Sequence, residues 1–372
     1  MTLCRFEDRL AGTALAMYEP CRRIEARRAG DLPRAFAAIE DARRAGRWIA
    51  LLLDYELGEW LEPAVAGGTP EYGAPLLAAL CFRRAAREAP WGPPDPGQAA
   101  RVVAVAPRIA KAGYLRNVHA IRERIAAGDF YQVNYTFRQD VTVAGPLPAL
   151  YRTIACQHPS AHAAYIEDAG RTVLSFSPEL FLQRRGTRLA TRPMKGTAPR
   201  HADPVLDGQS GHALQASTKD RAENLMIVDL LRNDLGRLAR PGSVQVTSLF
   251  DLERYPSVWT LTSTVCADVP GAPLPAVLQA LFPCGSVTGA PKIAAMRCIR
   301  ELESDRRGLY CGSVGWLAPD GDFALNVAIR TLVVGPDGRG VYGAGGGIVA
   351  DSDPEQEWLE CQWKSRILET AA

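Results

Sequence analysis

The chain has 372 residues, with 43 lysines and arginines against 41 aspartates and glutamates, a formal net charge of +2. This length allows a large core and one or two domains, and so balanced a charge makes no electrostatic case for nucleic acid or a membrane surface. Nine cysteines are scattered with no Cys-x-x-Cys pair and no histidine at zinc spacing. Together with the absence of a signal-like start or a membrane-length apolar run, this reads as a cytoplasmic protein with reduced thiols.

In chain order, Leu32 to Ala45 reads as a helix with Asp31 as its cap and Gly46 as its stop. Trp48 to Leu53 is a short apolar run, better suited to a buried strand. The stretch Pro90-Trp91-Gly92-Pro93-Pro94-Asp95-Pro96-Gly97 cannot hold regular structure. It divides a variable N-terminal portion, 1–97, from the portion 98–372, both packed in one globule. Ala112 to Ala127 forms a helix with Tyr114, Val118, Ile121 and Ile125 on one face, and His119 beside that stripe is structural or surface. A strand follows from Phe130 to Phe137, with Gln132 in it.

Two segments then carry candidate chemistry. In Leu174 to Leu182, Glu179 follows Pro178 between apolar runs, where desolvation would raise its pKa toward that of a general acid. A solvated strand-edge glutamate is the ordinary alternative. In Arg192-Pro193-Met194-Lys195-Gly196-Thr197-Ala198-Pro199-Arg200, proline fixes the backbone before the lysine and glycine frees it after. The flanking arginines would favour the neutral amine that a nucleophile requires; a solvated basic turn is the plain alternative.

Thr218 to Leu238 is a long helix capped by Ser217 or Thr218, apolar around enough of its girth that some of its polar groups must be buried. Gly285 to Lys292 opens another helix at Pro291, and its amides favour an anion. Leu309 to Arg330 reads as two strands joined at Pro319-Asp320-Gly321-Asp322. The glycine-rich run Gly343 to Val349 lets a ligand approach the backbone, and Ser352-Asp353-Pro354-Glu355 is a capping box. In the helix it opens, Glu357, Glu360 and Lys364 share a face, where a Glu360–Lys364 ion pair would suffice for an isolated helix.

The ordered set Ser177-Pro178-Glu179, Pro193 to Thr197, Glu223-Asn224-Leu225-Met226, Gly285 to Lys292 and Gly343 to Lys364 resembles the chorismate-utilising enzymes, which form anthranilate, aminodeoxychorismate, isochorismate and salicylate. The resemblance covers roughly residues 100 to 368. It implies a single α/β domain of two stacked antiparallel sheets flanked by helices; composition and periodicity alone establish only mixed helix and strand.

The same resemblance assigns roles. Lys195 stands where the aminodeoxychorismate branch carries its lysine and anthranilate synthases usually carry alanine. Thr260 stands where anthranilate synthases place a histidine, and Gln132 where a lysine base activates water in isochorismate and salicylate synthases. A glutamine amide cannot do that, which argues against water as the nucleophile. By resemblance Glu179 is the general acid and Lys195 the nucleophile. Glu223 and Glu360 are magnesium ligands supported by Glu357, and Tyr310, Arg330, Ser286, Gly347, Lys364 and Gln132 are substrate contacts. The implied reaction joins chorismate and ammonia into 4-amino-4-deoxychorismate, with Mg2+ as cofactor and a glutamine amidotransferase subunit as partner. Anthranilate formation is the alternative; a non-catalytic chorismate-binding regulatory subunit is the alternative of another class.

Overall fold

The computed structural model describes residues 3–371 apart from Pro96, Pro256 and Ser257. The stretch Pro90–Gly97 singled out above, and the run leading up to Thr260, therefore lie partly outside the described residues. Among the described residues eighteen strands form one hydrogen-bonded sheet with helices around it, the mixed α/β class expected.

The ladder can be followed strand by strand, antiparallel throughout. It runs from Arg101–Pro107 through Gln132–Ala144, Arg339–Ile348, Thr331–Val334, Arg171–Ser177 and His162–Asp168 to Cys4–Asp8. It goes on through Thr13–Ala26, Leu77–Glu88, Trp48–Leu53, Ser313–Leu317, Phe323–Asn326 and Leu180–Arg185. It ends in Arg188–Arg192 and Met194–Pro199, which share the partner Val258–Asp268, itself paired with Gln245–Arg254. Phe6, Ile166 and Val173 from one part of this path share a core with Leu52, Leu80 and Val314 from another, so the ladder doubles back into two facing layers. The two sheets implied by resemblance are thus joined into one. Strands from residues 1–97 lie in the middle of the path, interleaved with later ones.

Trp48–Leu53 shows why its sequence is apolar without alternation. Ile49, Leu51 and Leu53 enter one core cluster, and Ala50 and Leu52 enter another, so both faces are covered. The helix Leu32–Arg44 buries Leu32, Ala35, Phe36, Ile39 and Ala42 on one stripe. Asp31 does not cap it: its carboxylate accepts the Arg27 and Arg28 amides and closes the preceding turn instead. The helix Lys111–Ala126 buries Tyr114, Val118 and Ile121, and Tyr114 packs on Trp358 with ring centroids 5.3 Å apart. That contact seats the last helix, Pro354–Ser365.

Two local readings change. Gly285 to Lys292 is not a helix start: a short turn, Gly285–Val287, leads to a two-residue strand, Gly289–Ala290, against Gln132 and Val133, and the helix begins only at Lys292. Gly289 serves the strand approach, since a Cβ there would lie 2.1 Å from the Gln132 carbonyl oxygen. The glycine-rich run at 343–347 forms the end of strand Arg339–Ile348, in register with Gln132–Ala144. The final helix is capped by Asp353, which accepts the Gln356 amide, while Ser352 bonds the Val349 amide and Glu357.

Candidate active site

The chain passes between the two layers at Pro178–Glu179 and again at Val327–Arg330, and these two crossings are stitched together. The Val327 amide donates to the Glu179 carbonyl (3.0 Å), the Ser177 hydroxyl to the Val327 carbonyl (2.6 Å), and the Phe176 amide to the Arg330 carbonyl (3.0 Å). Arg330 holds a left-handed backbone at φ 50°, a conformation that an arginine keeps only where its surroundings impose it. Among the described residues no carboxylate pairs with its guanidinium, which borders a cavity of about 360 Å³. That volume suits a small ligand.

The other walls are the strand Met194–Pro199, the helix Thr218–Gly236, the turn at Ser286, the glycines of Arg339–Ile348 and the face of Pro354–Ser365. Lys195, Glu179, Glu223, Ser286, Tyr310, Arg330, Gly347, Glu357, Glu360 and Lys364, from six separated stretches of sequence, all border this one space. Gln132 does not. It is fully buried just behind Gly347, both of its amide atoms lack a hydrogen-bond partner, and a Cβ on Gly347 would meet its Nε2 at 2.8 Å and Lys195 Nζ at 3.1 Å. The missing Cβ of residue 347 is therefore what gives the lysine and the glutamine room beside the cavity floor.

Glu179 is 3% exposed, and one of its carboxyl oxygens has no partner. Burial pushes its pKa from 4.5 up to about 7, against the opposing pull of Ser286 and of the Lys195 charge. It is thus protonated over much of the neutral range, as a proton donor must be. An acid whose folded value lies above its unfolded one contributes stability below the unfolded value and loses it as pH rises through the folded one. Between pH 4 and pH 8 the native protein should therefore lose roughly 3 kcal/mol relative to Glu179→Gln in urea unfolding. Parallel pH profiles for the two proteins would show that the carboxyl is not desolvated.

The arginines flanking Lys195 do not act on it as the sequence suggested. Arg192 pairs with Glu253 and Arg200 with Asp207, so each charge is compensated by its own carboxylate. Glu253 and Asp207 lie far along the chain or on another element, and nothing in the local sequence announces them.

On the opposite wall Lys364 Nζ bonds Glu360 (2.6 Å) and the Gly345 carbonyl (2.7 Å). This lysine holds the Glu360 carboxyl below its usual range. Burial, then the Glu360 charge, pushes Glu357 up to about 7, and burial also raises Glu223. Carboxylates from two helices, with the charges of Lys364, Lys195 and Lys219 acting on them, form an oxygen-rich wall, and oxygen donors suit a hard divalent cation. Among the described residues no three of His, Cys, Asp and Glu close into a cage, so ligand oxygens and water would supply the remaining donors.

The cavity also has walls that the sequence reading passed over: Asn134, Thr197, Lys219, Asp220, Ile329 and Tyr342. Lys219 and Asp220 stand one helical turn before Glu223, so helical periodicity from that glutamate would have found them. Asn134 lies two positions after Gln132, directly opposite Gly347 in the ladder.

Over residues 25–370 the sequence matches the chorismate binding enzyme family. The chain belongs to that family. It is 46% identical to aminodeoxychorismate synthase component 1 of Klebsiella aerogenes over 248 residues, 66% of this chain and 55% of that protein. It is 42% identical to anthranilate synthase component 1 of Streptomyces coelicolor over 265 residues, 71% of this chain and 52% of that one. This chorismate-binding family member spans about half the length of those relatives. Anthranilate synthase component I of Streptococcus pneumoniae shares the fold, with a TM-score of 0.83 at 24% identity over 97% of this chain and 92% of that one. Among the described residues, no helix of the chain is long and apolar enough to cross a membrane, and all nine cysteines are unpaired.

Proposed function

We propose that this chain converts chorismate and ammonia to 4-amino-4-deoxychorismate, the work of an aminodeoxychorismate synthase component I. The observation that carries the proposal is that Lys195 and the desolvated Glu179 carboxyl border the same cavity as Arg330, whose guanidinium no carboxylate pairs with among the described residues. In the first step Glu179 protonates the departing 4-hydroxyl, which leaves as water, while the Lys195 amine bonds to C2 and the ring double bonds shift. The Glu179 carboxylate then takes up the proton shed by the lysine nitrogen. In the second step ammonia bonds to C4 and the C2–N bond breaks; Glu179 gives its proton to the leaving lysine nitrogen and takes one from the new ammonium group at C4. Arg330 and Tyr310 hold one substrate carboxylate at the far end. Glu223 and Glu360, with Glu357 beside them, would hold magnesium, which when bound neutralises the ring carboxylate.

Two features support ammonia from elsewhere. All five histidines precede Cys284 in the sequence, so no Cys–His–Glu order of the glutaminase kind follows it. Cys284 itself is buried, and burial pushes its thiol up to about 12, which suits packing and not nucleophilic attack. The isolated chain should consume ammonium and ignore glutamine until an amidotransferase subunit is added. Free ammonia grows as pH rises toward about 9 while protonated Glu179 declines above about 7, so the ammonium-driven rate should level off and not climb steadily. Turnover with glutamine alone, free of any co-purified amidotransferase, would overturn this.

The test of the reaction is product identification by mass and ultraviolet spectrum after incubation with chorismate, magnesium and ammonium. The 42% identity to an anthranilate synthase component makes anthranilate the product to look for as the competing result. No depletion of chorismate would indicate a binding subunit.

A further inference from the structure

Lys195 sits in an irregularity of the sheet that exposes it. Along the pair Met194–Pro199 and Val258–Asp268, Lys195 lies opposite Leu261 and Thr197 opposite Thr260, so Gly196 is passed over. This is a β-bulge, one extra residue on one strand. A regular strand sends alternate residues to opposite faces, yet Met194, Lys195, Gly196 and Thr197 all border the cavity. The bulge is what presents the lysine there.

It is gripped from two sides. Gly196 has φ +80°, and the side chain of Asp220 fills the place of its missing Cβ, with Oδ1 2.9 Å from where that atom would be. From the partner strand, the Thr260 hydroxyl donates a hydrogen bond of 3.0 Å to the Gly196 carbonyl. Thr260 is 1% exposed. A half-buried carbonyl displaced from the regular ladder needs a donor, and the hydroxyl supplies it beside the residue that the bulge presents.

We infer that Thr260 is the positioning residue for Lys195: its hydroxyl locks the bulge in the one shape that aims the amine at the bound ring. The inference rests on the proposed lysine chemistry and adds a residue that borders the cavity and acts through the peptide unit beside the lysine. Asp220 is the passive side of the grip, since it fills space, whereas the hydroxyl fixes the orientation of a peptide unit.

The experiment compares Thr260→Val, which keeps the shape and removes the hydroxyl, with Thr260→Ser, which keeps the hydroxyl. Both are checked by thermal melting and then assayed with chorismate, magnesium and ammonium. The valine variant should lose about 10- to 100-fold in kcat with KM for chorismate within about threefold of native, the loss expected of a misaimed nucleophile. Serine should restore kcat to within about threefold. Native kcat in the valine variant would overturn the inference, and so would a serine variant as slow as valine.

Mass spectrometry of protein held with chorismate but no ammonia reads the parent proposal separately, as a mass gain of chorismate less one water on the Lys195 peptide. If native protein shows no such adduct, the covalent reading fails. The positioning role is then tested by the rate at which Lys195 is reductively methylated with formaldehyde. That rate should differ by about threefold or more in the valine variant and not in serine. Equal rates in all three proteins would sink the role of Thr260. The same labelling decides the case if the valine variant melts early, since it can be read well below the melting temperature.

Discussion

Lys195→Ala is expected to lose 4-amino-4-deoxychorismate formation by about 10³-fold or more, because it removes the atom that forms the covalent bond and no neighbour can replace it. Glu179 keeps its raised pKa from burial, so the departing hydroxyl can still be protonated. What is lost is the intermediate that reserves C2 and directs ammonia to C4. The alanine leaves a space beside Gly347 next to the unpartnered Gln132 amide, large enough for ammonia to reach C2. The residual activity should therefore shift toward an anthranilate-type product, and melting should be nearly unchanged because the lysine is partly exposed. An alanine variant that makes the 4-amino product at the native rate would exclude the covalent route.

The second large effect concerns the carboxylate wall. Glu223→Gln and Glu360→Gln should each lower turnover by about 10²-fold or more, since an amide oxygen is a poor substitute for a carboxylate on a divalent cation. Neither change should unfold the protein, as both side chains are only partly buried on the cavity face of their helices. The two should also differ. Glu360→Gln strips Lys364 of its charged partner and leaves it the Gly345 carbonyl, so it should disturb substrate affinity more than Glu223→Gln does. Magnesium titrations of both variants, with native protein in chelator as reference, provide the measurement. Full turnover by chelated native protein would show that the wall does not hold a metal.

How much of this was legible depends on the range over which each residue's neighbours act. Helices such as Leu32–Arg44 and Lys111–Ala126 follow from apolar spacing that is local to them. Glu179 could be picked out because Pro178 and the apolar runs on both sides already imply burial. The role assigned to Arg192 and Arg200 failed for the opposite reason. Their charges are compensated by Glu253 and Asp207, and pairing of that kind is set by tertiary contact. The glycines at 343–347 did not announce a strand, because glycine usually weakens one. Here they are needed where the strand must pass Tyr135 on one side and the Tyr310 ring on the other. The cavity itself could be sensed only as a list of candidate residues. Its common wall appears once the two crossings at Glu179 and Arg330 are stitched together.

The interleaved ladder bears on how the protein is made. Cys4–Asp8 must wait for Ala163–Ile166, and Trp48–Leu53 for Ser313–Leu317 near the C-terminal end. During synthesis the early strands leave the ribosome with unpaired edges and an apolar surface, long before the segments that cover them exist. Such high contact order slows folding and prolongs the exposure of those edges to other nascent chains. A shortened version beginning after residue 97 would remove strands from the middle of the ladder, not from its end, and would leave two half-sheets with open edges. Variants weakened in these long-range pairings should therefore fail first by aggregating as they are synthesised, with the chemistry of the cavity untouched in whatever fraction reaches the folded state.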